Sequence, residues 1–344
     1  MLERRVNLKS GFTARISALL CCVLIVSLLT ACGSKVESSA TSSGQQGSTA
    51  TTSEVSAAGE QSAETSGERT VTVTDELGHE IKIPAEPKNI FAPNLEDSLL
   101  KLGVKPVAQW SNGNRGHDYL QEELKDVPKL DLSGGLPSPE VLMTYNPDLI
   151  ILHTETYAQN GNYENYSKIA PTYVFKSASG NIEKSLATIG ELLGKSAEAD
   201  NALQAYQQKV NDAKEKLNKA VGEKKVAIIR FATKGVSLMG GKYLCGYVVH
   251  QDLGLGMSKL VENENSANMS MEILPELDAD YIFVINAYDQ GTERMKEMIE
   301  SPIWKNMPAA KQGHVYEVSN KYWLGSGLIA YEKIIDDTIR LLAQ

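Results

Sequence analysis

The chain has 344 residues, enough for two domains of ordinary size, and its 42% hydrophobic and 22% charged residues are the balance of a globular protein in water. Its formal charge of −9 at pH 7 excludes nucleic acid and other polyanions as natural partners. Beyond the amino terminus no stretch is apolar enough to span a bilayer.

The amino terminus differs from the rest. Arg4, Arg5, Lys9 and Arg15 precede an apolar run from Ile16 to Leu29, too short for a membrane span and suited to a secretory signal over residues 1–31. At its end, Leu29-Thr30-Ala31-Cys32 resembles the lipobox of bacterial lipoproteins. That resemblance implies lipid transfer to the Cys32 thiol and cleavage before it, and two acyl chains hold a protein stably on a membrane surface. Cys21 and Cys22 leave with the signal, so Cys245 has no cysteine partner and reads as a small buried hydrophobe. Residues 32–69 are rich in Ser, Thr, Gly and Ala and hold no aromatic residue. They read as a disordered tether with a reach of roughly 30–35 Å.

Order begins at Thr70. Thr70 to Thr74 and Glu80 to Ile83 alternate around Gly78 and predict a β-hairpin. A short strand at Asn89 to Ala92, a helix from Leu95 to Leu102 and a strand from Pro106 to Trp110 follow. Strands at Asp148 to His153 and Thr172 to Phe175 and a helix at Asn181 to Leu193 complete a first lobe, residues 70–195. Strands alternating with helices predict an α/β fold built on a mainly parallel sheet.

The next stretch, Ser196 to Val221, is the longest periodic segment. Leu203, Tyr206, Val210, Ala213, Leu217 and Val221 recur at steps of three or four on one face, with Ser196 as candidate N-cap and Gly222 as stop. A helix of that length, roughly 35–40 Å at 1.5 Å per residue, can join two lobes; periodicity alone fits a surface helix of one domain equally. The pattern then restarts over residues 222–344. It gives strands at Lys225 to Phe231, Tyr281 to Ile285 and Gly313 to Val318, and helices at Gly246 to Leu253, Thr292 to Ile299 and Ile329 to Leu342.

An internal repeat ties the halves together. SPEVLMTYNPDLII from Ser138 and SMEILPELDADYIF from Ser270 share Ser, Glu, Leu and Asp at matching positions. Each reads as a Ser N-cap, a Glu at the second helical position, a short helix, and a strand led by Asp148 or Asp280. Glu140 and Glu272 either serve only their helix dipoles or form a paired acidic handle for a basic partner.

With these units, Asp75-Glu76-Leu77-Gly78, Ile83-Pro84, Leu102-Gly103-Val104 and Ser301-Pro302-Ile303-Trp304 through Val318, the chain from Thr70 to Gln344 resembles the class III periplasmic binding proteins. These are the solute-binding components of ATP-binding-cassette importers for iron–siderophore, haem and cobalamin. The resemblance implies two Rossmann-like lobes joined by one long backbone helix, a ligand cleft between them, and monomeric capture of a solute for a membrane permease. It also implies that Glu140 and Glu272 dock onto permease arginines. With the lipobox, it places the protein lipid-anchored on the outer face of a cytoplasmic membrane of Gram-positive type.

Cleft residues come from loops at strand ends. In the first lobe these are Trp110, Ser111, Asn112, Asn114, Arg115, Thr156 and Tyr157. In the second they are Arg230, Lys242, Tyr243, Tyr247, Tyr322 and Trp323. The strongest ligand-binding candidates are Trp110, Arg115, Tyr157, Arg230, Tyr243 and Trp323, an aromatic and cationic set suited to an anionic or oxygen-rich metal chelate. Trp304 reads as core. The stretch from Ile229-Arg230-Phe231 to Lys242-Tyr243 resembles the hydroxamate or mixed-ligand branch, so the expected ligand is a ferric siderophore, with haem or cobalamin as the alternative. The five histidines show no paired spacing for a bare metal ion, and no cofactor is called for. No phosphate loop, nucleophile elbow, zinc-protease motif or strand-linked G-x-G-x-x-G occurs, which argues against an enzyme.

Overall fold

The computed structural model describes residues 69–113 and 115–343, all within one compact unit, Glu64–Gln344. The signal segment, Cys32, the tether to residue 68 and Asn114 lie outside the described residues.

The first lobe opens with the antiparallel hairpin of β1 (Thr70–Thr74) and β2 (Glu80–Pro84), turned at Gly78 with φ +95°. Then come β3 (Ile90–Phe91), α1 (Glu96–Lys101), β4 (Gln109–Ser111), α2 (Gln121–Leu124) and β5 (Lys129–Asp131). They are followed by α3 (Pro139–Met143), β6 (Leu149–Leu152), α4 (Asn162–Tyr166), β7 (Thr172–Val174) and α5 (Ile182–Leu192). β3, β6 and β7 pair in parallel, as do β4 and β5. Helix α6 (Ser196–Val221) then leads to the second lobe.

The second lobe contains β8 (Lys225–Ala232), β9 (Gly235–Met239), α7 (Leu244–Gly246), β10 (Gly256–Met257), β11 (Ser266–Asn268) and β12 (Tyr281–Asn286). It ends with α8 (Thr292–Glu300), α9 (Pro302–Asn306), α10 (Pro308–Lys311), β13 (Val315–Glu317) and α11 (Leu328–Leu342). Its sheet runs β11-β9-β8-β12-β13, with β10 beside the start of β8. β12 joins β8 and β13 in parallel, whereas β9 folds back on β8 through the two-residue turn Thr233-Lys234 and pairs antiparallel with both β8 and β11. The sequence reading held neither of those antiparallel pairings. It also expected an ordinary helix at 246–253, where α7 passes into a π-helical stretch, Tyr247–Asp252. Gly246 sits so close to Gly240 that an added Cβ would lie 1.9 Å from its carbonyl oxygen.

Period-two burial explains why both sheets are covered on both faces. In β6, Leu149 and Ile151 enter the central core while Ile150 and Leu152 pack outward with Phe91, Leu142 and Tyr166. In β8, Val226 and Ile228 enter that same central core while Ala227, Ile229 and Phe231 pack outward with Met298 and Trp304. Trp304 is core, as read from the sequence, with 2% of its surface exposed.

Helix α6 lies over the shared core. Its buried residues, Ala199, Ala202, Tyr206, Val210, Ala213, Leu217 and Val221, recur at steps of three and four. Its limits agree with the sequence reading, but Ser196 is its first residue and not its cap. Lys195 holds the cap position and, having no acceptor, makes no side-chain cap bond; its own N–H donates to the Gly190 carbonyl at 2.7 Å in the short turn from α5. Gly190 also permits the approach of the two helices, since a Cβ there would lie 2.7 Å from that of Ala199.

The repeat has a structural basis in both lobes. Asp148 accepts the backbone N–H of Lys88 at 2.7 Å and of Asn89 at 2.9 Å, and Asp280 accepts that of Lys225 at 2.8 Å. Each aspartate therefore clamps the start of the neighbouring parallel strand, β3 or β8. We expect Asp148→Ala and Asp280→Ala each to lower the unfolding free energy by roughly 1 kcal/mol. Urea unfolding checks this; unchanged midpoints in both would deny the clamps their role.

Candidate ligand-binding cleft

Between the lobes lies a cavity of about 380 Å³, within the range of small-molecule sites. The first lobe supplies Asn94, Trp110, Asn112, His117, His153 and Tyr157. The second supplies Tyr243, Leu244, Tyr288, Asn320, Lys321 and Leu324. A second compartment of about 320 Å³ shares Tyr243, Leu244, Tyr288 and Leu324 with it and reaches Arg230 on β8. Tyr243 and Tyr288 are 40% and 43% exposed, so each presents a broad ring face to whatever enters.

The first-lobe lip is built around a tight loop. Asn112 N–H donates to the Arg115 carbonyl at 2.9 Å and Arg115 N–H returns to Asn112 at 3.2 Å, while Gly113 N–H, at φ +59°, donates to Asp131. That bond and those from Ser133 hold the Asp131 carboxyl below its usual range, so it stays an acceptor. The loop carries Arg115 across the cleft, where its guanidinium stands 5.3 Å from the centre of the Tyr288 ring. The backbone at Trp110 is fixed from beneath, its main-chain N–H donating to Glu96 Oε1 at 2.6 Å.

Three residues here adopt backbone conformations that side chains disfavour: Asn94 at φ +65°, Leu244 at φ +48° and Tyr288 at φ +53°. Leu and Tyr gain nothing from the left-handed region, so the surrounding fold must impose it. Strain of this kind concentrates at binding sites.

Five of the six strongest candidates meet at the cleft: Trp110, Arg115, Tyr157, Arg230 and Tyr243. Trp323 does not, and this corrects the sequence reading. It is fully buried, its Nε1–H donates to Asp337 at 2.9 Å and its ring meets Phe283 edge-on. Tyr322 donates to the same carboxylate at 2.7 Å. Burial pushes the Asp337 carboxyl up, but the bonds from Arg340, Trp323 and Tyr322 outweigh it and hold the group low. The pair after β13 thus anchors α11 to the core, and the cleft surface is taken by the next turn, Leu324 to Ser326.

Among the secondary candidates, Asn112 lines the cleft and Ser111 is buried behind it, while Thr156 is exposed away from it. Lys242 and Tyr247 face a smaller hole of about 50 Å³ beside Tyr206 and Tyr331, room for little more than water. Cys245 is wholly buried, which pushes its thiol up to about 12 and leaves it inert.

Sequence reasoning missed Asn94, His117, His153, Tyr288, Asn320 and Lys321. The strand-end rule reaches His153, the residue after β6, and Tyr288, two residues after β12; His117 stands in a loop without such a mark. Asn320 is held by its Nδ2 donating to the Asn286 carbonyl at 2.9 Å and to Asp289 at 2.8 Å. Among the described residues, the linings of the two compartments contain Arg230, Lys321 and the two histidines and no carboxylate. In a chain of net charge −9 that is a local reversal of sign.

The two docking candidates are placed alike. Ser138 caps α3, its Oγ accepting the Val141 N–H at 3.4 Å, and Glu140 is exposed one residue into the helix. Glu272 is exposed after Ser270 in a single turn closed by Leu274 N–H to the Ser270 carbonyl at 3.0 Å. The second unit expected as a short α-helix is therefore one turn and a 3₁₀ segment, Leu274–Glu276, because Pro275 lacks an N–H and disfavours helical geometry at Leu274. A bond with Ser138 or Ser270, then the glutamate's own N–H, holds each carboxyl below its usual range.

Two α/β lobes under one spanning helix, with an aromatic and cationic cleft between them, define a solute-binding body. The chain belongs to the periplasmic binding protein family, whose pattern matches residues 94–322. It is 29% identical over 292 residues to a probable siderophore-binding lipoprotein, YfiY, of Bacillus subtilis, covering 80% of this chain and 88% of that one. The iron(3+)-hydroxamate-binding protein FhuD of the same organism is 29% identical over 306 residues, covering 86% and 87%. Staphylococcus aureus SirA, in its crystal structure complexed with staphyloferrin B, superposes with a TM-score of 0.68 at 26% identity, covering 79% of this chain and 98% of SirA.

His153 makes the cleft sensitive to acid. Burial pushes its imidazole down to about 4, against the pull of Glu96 and the Pro93 carbonyl. The folded state then binds fewer protons than the unfolded one, so the stability held above pH 6.5 is lost as pH falls towards 4. The shift corresponds to roughly 3 kcal/mol. His153→Phe, which keeps an aromatic ring against Tyr157, is expected to lose less stability than the parent between pH 7 and pH 4.5. Equal losses in urea titrations would show that His153 does not titrate in that window.

Proposed function

We propose that this protein captures a ferric siderophore, of hydroxamate or mixed type, and delivers it to an ATP-binding-cassette importer in the membrane to which Cys32 anchors it. The observation that carries this reading is the cleft: cationic and aromatic side chains, no lining carboxylate among the described residues, and a volume suited to one chelate. Charge-assisted hydrogen bonds from Arg230, Arg115 and Lys321 would meet the oxygen-rich coordination sphere, and Trp110, Tyr157, Tyr243 and Tyr288 would cover its apolar frame. The names of YfiY and FhuD give the same class of ligand.

Binding is expected at one-to-one stoichiometry with quenching of Trp110 fluorescence. Trp110→Phe should remove most of the quench and Trp323→Phe should leave it, since that ring is walled off in the core. A panel of ferric hydroxamates, mixed chelates, haem and cobalamin without response would overturn the assignment.

Delivery requires a handle on each lobe, and Glu140 and Glu272 supply it: both are exposed, held ionised, and set at equivalent positions of the repeat. Reversing both with Glu140→Arg and Glu272→Arg should abolish uptake of labelled ferric chelate by cells while affinity in solution stays within about twofold. A parallel loss of affinity would move these residues from docking to the cleft or the fold.

A further inference from the structure

His117 is the cleft histidine held close to a carboxylate. Its Nε2 lies 3.2 Å from Glu96 Oε2, and Glu96 is fully buried while 20% of the His117 side chain remains exposed on the cleft wall. The contact is off the straight line of a hydrogen bond, and neither atom has another partner among the described residues. Glu96 spends its other oxygen on the backbone N–H of Trp110 at 2.6 Å, and the His117 ring leans on the Trp110 ring with centroids 5.1 Å apart. One buried carboxylate thus holds the backbone at Trp110 and touches the imidazole that leans on its ring.

We propose that Glu96 is a positioning residue that holds His117 as a cationic anchor, making the cleft select siderophores carrying net negative charge over neutral ones. This rests on the siderophore reading above and narrows its ligand class. An imidazolium that gives one N–H to Glu96 keeps the other for a ligand oxygen, whereas neutral imidazole has a single N–H to share. The surroundings favour the charged form. Burial pushes the imidazole down, but the close contact with Glu96 and the charges of Glu96, Asp97 and Asp118 together raise it above its ordinary value. Tyr119 packs edge-on against the ring, with its hydroxyl given to Asp97. Of the cations, Arg115 belongs to the same loop and Lys321 to the facing wall. A carboxylate-bearing ligand would therefore meet His117 and Lys321 from opposite sides.

The test uses the mature protein and two probes: ferric aerobactin, an anionic citrate–hydroxamate chelate, and ferrichrome, a neutral trihydroxamate. Affinity is read from tryptophan fluorescence between pH 5.5 and 8.5. The parent should bind the anionic probe at least tenfold more tightly at pH 6 than at pH 8.5, with ferrichrome affinity flat. His117→Gln should flatten the anionic profile at its weak, high-pH level and leave the ferrichrome profile as flat with pH as in the parent. Glu96→Gln should keep the step but move its midpoint to lower pH, the signature of a residue acting through His117. Asp97→Asn should retain most of the step, separating that neighbour from the anchor. A parent profile that is flat for both probes, or one unchanged in His117→Gln, overturns the proposal while leaving siderophore binding intact. Failure of the parent to bind either probe or any other ferric chelate would instead bring down the siderophore reading. Where Glu96→Gln fails to fold, direct titration of the His117 ring protons in the parent by NMR decides the same question: a raised midpoint supports the anchor, and an ordinary or lowered one refutes it.

Discussion

Everything in this molecule depends on a single apolar core that neither lobe owns. Leu149 and Ile151 reach it from one sheet, Val226 and Ile228 from the other, and α6 closes it with one face from Ala199 to Val221. A second tie lies nearer the cleft. The carboxylate of Asp97, on the first lobe, accepts the Ile329 and Ala330 N–H groups at 3.0 Å each and so caps α11 of the second lobe. Gly327 makes that approach possible, since a Cβ there would lie 2.2 Å from Asp97 Cγ. Burial pushes Asp97 up to about 6, against the pull of those N–H groups and of Tyr119. Its neighbour, the Lys101–Glu332 pair at 2.5 Å, spans the same junction.

The cleft follows from where those ties stop. Beyond Asp97 the lobes diverge, and the loops after β3, β4 and β6 face those after β9, β12 and β13 across the gap. These loops are stiffened locally. Asp131 closes the 112–115 turn, Asn286 and Asp289 hold Asn320, and Asn94, Leu244 and Tyr288 are kept in left-handed conformations. A ligand meeting side chains already fixed in place loses less affinity to their ordering. The cationic lining has the same logic. Glu96 and Asp97 are buried beneath the wall and not on the lining, and their charge helps to raise His117.

How much was legible in the sequence depended on whether a signal was periodic, duplicated or solitary. α6 shows 26 residues of unbroken helical period, and its limits could be read directly. Glu140 and Glu272 stood out as candidates because the chain states them twice, and the paired clamps of Asp148 and Asp280 give the repeat its physical reason. β5, β9 and β11 have five residues or fewer, and β5 and β11 pair with strands well separated from them in sequence, so local pattern could not fix them. The cleft was half legible. Strand-end loops pointed to Trp110, Tyr157 and Tyr243, but the same rule promoted Trp323, because position along the chain does not say which way an indole turns. Asp337, fourteen residues further on, decides that.

The two ties also limit how the lobes can move. Opening by rotation about a flexible linker would separate Asp97 from the N-terminus of α11, leaving a buried carboxylate and two N–H groups without partners. It would also bend α6, whose hydrogen-bond ladder runs unbroken between the lobes. Neither change is small beside the few kcal/mol that ligand binding makes available for conformational work. The rearrangements left to the molecule lie in the loops, where Arg115 reaches over Tyr288 and the lip rests on Glu96. Exposed corners built on the sheet-anchored repeat therefore keep a nearly fixed separation whether the cleft is empty or filled. A partner gripping both would find its distinguishing surface at the cleft mouth, in the positions of Arg115, Tyr243 and Tyr288.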